Sequence, residues 1–278
     1  MEPLFIEAQT GRLFALYHPP ASKGRQNDIL IVPPFAEELN RCRHMMAAFA
    51  RAMAAEGTGV LILDLYGTGD SEGRFETASW DGWKADLEAA ALWLEAKGRT
   101  LAGVLAIRTG ALLALDWLTT NNRSVPKLAL WAPVTGGTQF ITQFLRLRVA
   151  EAMSRSDGTK ETTRDLKALI DQGETVEVGG YGLTRAICDG LEKAKAAALP
   201  PRAALPPRES EARWYELCQS ADDDLAPGPA RVVEAWSKAG VLVTPSIIEG
   251  PAFWSLQEPE HVPALIEATA SVFSEGPS

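Results

Sequence analysis

Histidine and cysteine are both scarce in this chain. Its three cysteines, Cys42, Cys188 and Cys218, stand far apart in 278 residues, with no CxxC spacing. That excludes a disulfide framework, gives no zinc signal and suits a reducing cytoplasm. No metal or cofactor is expected. The three histidines are His18, His44 and His261, so few side chains can serve as a base that titrates near neutral pH. No run of about 18 apolar residues occurs, which excludes a spanning helix, and "MEPLFIEAQT" has neither the basic nor the apolar region of an export signal. Positive charge is also short. Lys and Arg number 27 against 36 Asp and Glu, a net charge of -9, which argues against phosphate backbones and anionic lipid as partners.

Apolar residues are plentiful at 46%, enough for a sizeable core. "PLFIEAQTGRLFALYHPP" reads as an antiparallel hairpin turning at Thr10-Gly11. "DILIVPPF", "TGVLILDLYG", "LAGVLAI" and "PKLALWAPV" are continuous apolar runs of the kind found in parallel strands covered on both faces. Helical patterns over Cys42 to Ala55, Trp80 to Ala96 and Thr109 to Leu118 alternate with them, the signature of right-handed crossover units. "ARWYELCQ" and "VLVTPSIIEG" read as two closing strands, followed by helices over Ala230 to Ala239 and Glu258 to Phe273. The alternation fails between residues 136 and 210, where a basic amphipathic stretch leads to the proline-marked return "ALPPRAALPPRES". The expected architecture is an α/β core of residues 1–135 and 211–278, with a mainly parallel sheet of about eight strands and a mostly helical cap inserted over residues 136–210.

That arrangement resembles the α/β-hydrolase fold. "DLYGTGDSEG" (Asp64 to Gly73) is similar to its D-x-x-G-x-G-x-S loop, and "VPPFAEELNR" (Val32 to Arg41) stands in the place of its oxyanion loop. More narrowly, "PPFAEELNR", "GTGDSEGRF", "QFLRLR" and "EGPAFW" resemble the exosortase A system-associated hydrolase 2 family. The resemblance implies a hydrolase fold encoded beside a bacterial sorting (PEP-CTERM) and exopolysaccharide system. It implies no particular substrate.

The fold places a serine nucleophile in the pentad G-x-S-x-G, whose small flanks let strand and helix pass closely at a strained turn. Here the pentad reads Ala106-Ile107-Arg108-Thr109-Gly110. The flanks are small, but the central residue is Arg108, whose protonated guanidinium cannot accept an acyl group. Thr109 carries the nearest hydroxyl, one residue along a tight turn and so differently directed. In the loop that usually carries the catalytic histidine, "EGPAFW" puts Phe253 at the corresponding place. His261 falls beyond that loop, at the head of the last helix. His44 falls in the helix after the oxyanion loop, and His18 in a loop before two prolines. Asp222, Asp223 and Asp224 follow the seventh core strand, where the triad acid would stand, with no histidine to orient; a solvated loop or helix cap accounts for them more simply. Ordinary Ser-His-Asp catalysis is therefore disfavoured.

The retained turn offers the N–H of Thr109 at a helix N-terminus, and the preceding loop offers an amide from Phe35 or Ala36. With Arg108 these make an anion site. Glu37 and Glu38 stand in the same loop, so two readings arise. In one, Arg108 is braced internally by Glu37 or Glu38. In the other, it binds an acidic ligand or polarises a carbonyl, with one of those carboxylates as general base. The cap adds Gln139, Gln143 and Arg146 on one helical face, followed by Arg148, and Trp254 beside Phe253 suits an acyl or aromatic group. Asp70, with Gly67 and Gly69, reads as a turn, and Ser79 reads as the cap of the helix carrying Trp80, Asp81 and Trp83. Two functions follow. One is a hydrolase of altered mechanism acting on an ester, thioester or acylated small molecule. The other is a non-catalytic binder of an acidic or acylated ligand, or of a protein of the sorting or exopolysaccharide system.

Overall fold

The computed structural model describes residues 1–22, 26–154, 161–199, 211–220 and 222–274. The chain opens with the hairpin of β1 (Glu2–Glu7) and β2 (Arg12–His18). Then β3 (Asn27–Val32), α1 (Glu37–Ala55), β4 (Gly59–Leu63), α2 (Trp80–Ala96), β5 (Thr100–Ile107), α3 (Thr109–Thr120) and β6 (Lys127–Trp131) alternate. An excursion follows: α4 (Gly137–Ser154), α5 (Thr163–Asp171), β7 (Val176–Val178), β8 (Tyr181–Leu183) and α6 (Arg185–Lys193). The closing elements are β9 (Glu211–Cys218), α7 (Pro227–Lys238), β10 (Val243–Glu249) and α8 (Pro263–Ser274).

Among the described residues, eight strands form one sheet in the order β1-β2-β4-β3-β5-β6-β9-β10. From β4 to β10 every neighbouring pair is parallel, while β2 runs antiparallel to both β1 and β4. This is the α/β-hydrolase fold expected from the sequence. The period-two alternation of strands divides the apolar runs between two faces. Ile29, Ile31, Leu105 and Ile107 pack with Met45 and Phe49 of α1 and Leu265 and Phe273 of α8. Leu30, Val32, Val104 and Ala106 pack with Trp83 and Leu87 of α2, Leu112 and Trp117 of α3 and Trp236 of α7.

The excursion shares that second core: Phe140, Leu145, Leu166, Ile187 and Leu191 join the same apolar cluster. Its helices accompany an antiparallel hairpin, β7 with β8, that the sequence reading missed. Gly179 and Gly180, with φ of 56° and 86°, make the tight turn. Residues 200–210 of the proline-marked return lie outside the described residues.

Two local assignments change, those of His18 and of the turn attributed to Asp70, while His261 is exposed just before the last helix as expected. His18 is the last residue of β2 and is 4% exposed, so it belongs to the sheet and not to a loop. His261 precedes α8 and packs edge-on against His44, ring centroids 5.0 Å apart. The "GTGDSEG" turn is organised by Asp64 in place of Asp70: Asp64 accepts the Asp70 N–H at 3.0 Å and pairs through both oxygens with Arg43. Ser79 caps α2 as expected, accepting from the Gly82 N–H. No helix among the described residues is long and apolar enough to cross a membrane.

Candidate functional site

β5 ends at Ile107 and α3 begins at Thr109, leaving Arg108 alone to reverse the chain, with φ 53° and ψ -120°. A side chain rarely adopts that backbone conformation, and it is held by neighbours. The Arg108 N–H donates to the Trp131 carbonyl at 3.0 Å, and the Arg108 carbonyl accepts from Val134. The small flank is a packing requirement: a Cβ on Gly110 would come within 2.4 Å of the Pro33 carbonyl oxygen. The elbow geometry that Ala106 and Gly110 imply is thus present. Two more non-glycine residues with positive φ flank it, Ala36 at 57° and Ala132 at 41°. Backbone strain is concentrated around Arg108.

The Arg108 guanidinium is held on three sides. Nε and Nη2 donate to Glu38 Oε1 at 3.4 and 3.2 Å, Nη1 donates to the Ala132 carbonyl at 2.8 Å, and Cζ lies 4.6 Å from the centre of the Trp254 ring. Of its five N–H donors, two have no recorded partner among the described residues. The side chains of Arg108 and Glu38 are 20% and 21% exposed. Burial raises the Glu38 carboxyl pKa, and the adjacent guanidinium opposes that shift. Glu38 Oε2 is buried and has no hydrogen-bond partner among the described residues.

Glu37 takes no part. It is exposed on the first turn of α1, where it accepts from Asn40 and Tyr181 and pairs with Arg41. Glu216 of β9 is a second carboxylate near Arg108 that sequence reasoning missed. Burial raises its pKa, while the Trp214 indole N–H, 2.7 Å away, and the charge of Arg108 oppose that. A carboxylate within the apolar run "ARWYELC", near the strand's C-terminal end, was the available signal.

The other expected residues separate into those brought near the elbow and those turned away. Thr109 is buried, and its hydroxyl accepts from the Phe35 N–H at 3.4 Å. One of the two amides expected to receive an oxyanion is thereby occupied. The Phe35 ring is surrounded by Phe75, Trp83, Phe140 and Phe144, with centroids 5.3 to 5.9 Å away, so aromatic side chains fill the space beside the elbow. Ala36 is the N-cap of α1. Phe253 is 1% exposed and packs against Trp131, His44 and Trp254; it is a core residue with no polar atom to offer. Asp222, Asp223 and Asp224 are exposed, and the first two serve a local turn with Ser220. Arg146 is exposed, as are Gln139 and Gln143, because Phe140 and Phe144 of the same helix take the inward face. Arg148 binds Glu161 instead. Among the described residues no hydrogen bond or ion pair joins Arg146 to Arg108, Glu38 or Thr109. Among the described residues no cluster of His, Cys, Asp and Glu is suited to hold a metal ion.

A family model described as "Serine aminopeptidase, S33" matches residues 26–176. No curated protein matches the sequence. Several solved structures are similar over nearly the whole chain. Est1E from Butyrivibrio proteoclasticus with ferulic acid bound superposes with a TM-score of 0.66 at 15% identity, covering 96% of each chain. The α/β-hydrolase GrgF from Penicillium sp. sh18 gives 0.62 at 14%, covering 98% of this chain and 97% of its own. An alpha-beta serine hydrolase homologue from Coxiella burnetii gives 0.56 at 14%, with 98% and 95% covered. At these identities the likeness is one of fold.

Proposed function

The chain belongs to the family described as serine aminopeptidase, S33, with the α/β-hydrolase fold, and from that premise we propose a non-catalytic member that binds an acidic or acylated small molecule at the elbow. The observation that carries this reading is the side chain at the nucleophile position. Arg108 cannot form an acyl-enzyme, and it is fixed by Glu38, the Ala132 carbonyl and Trp254. Phe253 provides no base to replace a histidine. What the site retains is a part-exposed cation with two N–H donors unengaged among the described residues, the N-terminus of α3 and an aromatic face. Those features recognise a carboxylate or a carbonyl oxygen with an apolar group beside it. In this reading residues 136–210 form the cap over the site. The resemblance to the exosortase A system-associated hydrolase 2 family adds a proposed setting, a protein or acylated intermediate of a sorting or exopolysaccharide system, with the chain acting in the cytoplasm.

The test combines native mass spectrometry with activity. The protein purified under native conditions is expected to retain an acidic or acylated compound that Arg108→Ala releases, to hydrolyse activated esters at the background rate, and to resist fluorophosphonate labelling. Hydrolysis that depends on Arg108 or Glu38 would overturn the reading. That result would favour the alternative, a hydrolase of altered mechanism with Glu38 as base, for which the raised pKa and unpartnered Oε2 of Glu38 speak.

A further inference from the structure

Away from the elbow, β1 forms one edge of the sheet. This strand pairs with β2 alone among the described residues. Among the described residues, no hydrogen bond engages its other backbone edge. Beside it, between β1 and α2, runs an open groove of about 940 Å³. Ala85, Ala89, Leu92 and Trp93 are among the residues that line it. Ala85, Ala89 and Leu92 follow one another at i, i+4 and i+7, an apolar stripe that extends beyond what the core covers. Leu92 is 51% exposed, and Phe5 on the strand is 53% exposed.

Charge decides what fits. Lys84 at the groove is matched by Asp81 at 2.9 Å and Asp116 at 3.3 Å, and Glu88 is held by Arg123. Glu2 and Glu7, at the two ends of β1, are exposed and have no ion-pair partner among the described residues. A second copy pairing antiparallel on this edge would gather four unmatched carboxylates, an arrangement that disfavours self-association. A strand with a cationic residue at each end and a branched apolar residue between them meets both the carboxylates and the groove.

We propose that β1 and this groove receive an extended, basic-flanked segment of a partner protein as a ninth strand, with backbone hydrogen bonds to β1, an apolar side chain over Ala89 and Lys or Arg beside Glu2 and Glu7. Strand addition supplies affinity through the backbone and specificity through alternate side chains.

The probe is the acetylated, amidated hexapeptide Lys-Val-Leu-Val-Leu-Lys, whose end residues match the six-residue span and the opposite-facing side chains of Glu2 and Glu7, dye-labelled and titrated into the full chain, with Glu-Val-Leu-Val-Leu-Glu as its counterpart. The basic peptide is expected to bind at least about tenfold more tightly than the acidic one and to slow amide exchange over residues 2–7. Ala89→Arg fills the groove and is expected to weaken binding about tenfold without changing the thermal unfolding of the chain, while Glu7→Lys is expected to narrow or invert the charge preference. Equal binding of the two peptides, indifference to Ala89→Arg, or slowed exchange elsewhere than β1 would overturn the proposal. So would a chain that sediments as a dimer and becomes monomeric in Ala89→Arg, since a second copy would then be the occupant.

Discussion

Arg108 Nη2 and Glu38 Oε1 lie 3.2 Å apart across the elbow, joining the turn after β5 to the first turn of α1. The bond ties together two of the strained backbone positions, Arg108 and the Ala36 cap two residues before Glu38. The same guanidinium lies over the Trp254 ring, Cζ 4.6 Å from its centre. The pair therefore serves both readings of the sequence: it braces the loop, and it leaves Arg108 part-exposed with donors to spare.

Breaking the pair from either side is expected to destabilise the fold. Arg108→Ala leaves a mostly buried carboxylate without its cation, and Glu38→Ala leaves the cation without its carboxylate. Each is expected to lower the unfolding free energy by about 1–2 kcal/mol, below the cost for a fully buried pair because both side chains retain some solvent contact. The double substitution is expected to cost less than the sum of the singles. Urea denaturation of the four proteins measures the coupling. Strict additivity would mean that the contact contributes nothing.

Restoring the serine alone is expected to restore no chemistry. In Arg108→Ser no histidine stands in the loop that usually supplies the base, where Phe253 is a buried core residue, so activated-ester hydrolysis should stay at background. A burst of acyl-enzyme in that variant would show that some other base, Glu38 or Glu216, reaches the elbow.

Gly110 is expected to tolerate no side chain. A methyl group there meets the Pro33 and Val32 carbonyl oxygens at 2.4 and 2.5 Å, so α3 would have to move away from β3. Gly110→Ala is expected to cost about 2–4 kcal/mol or prevent folding, against the usual gain of alanine over glycine in a helix. An unchanged melting temperature would show that the strand-to-helix approach is looser than described.

Asp86 provides a pH-dependent handle. It is fully buried under the first hairpin, accepting from the Thr10 hydroxyl and from the Tyr66 N–H at 2.8 Å. Burial raises its pKa to about 6, against those hydrogen bonds. A carboxyl whose folded pKa is raised stabilises the fold when protonated, and that contribution is lost as pH rises through about 6. Between pH 7 and pH 5 the wild type should therefore gain about 1 kcal/mol relative to Asp86→Asn. Subtracting the variant removes His18, whose lowered pKa, caused by burial, acts in the opposite direction. A pH-independent difference would place the Asp86 titration outside that window.

The sequence by itself determined the layers and the shape of the elbow. Continuous apolar runs of strand length require a sheet covered on both faces. Small residues at Ala106 and Gly110 permit the close crossing of β3 and α3, and Arg108 and Phe253 remove the usual nucleophile and base, whatever surrounds them. Tertiary structure alone decided which groups meet. Glu37 and Glu38 are adjacent in sequence, but successive residues of a helix point about 100° apart, so only the orientation of α1 against β5 sends Glu38 to Arg108 and Glu37 to solvent. The same angular reason turns Phe140 and Phe144 inward and Arg146 outward on α4. Glu216 reaches the site because β9 lies beside β6 in the sheet, a pairing between strands separated by the whole excursion. Such long-range neighbours are fixed by the way the faces pack, and no local pattern in the chain encodes them.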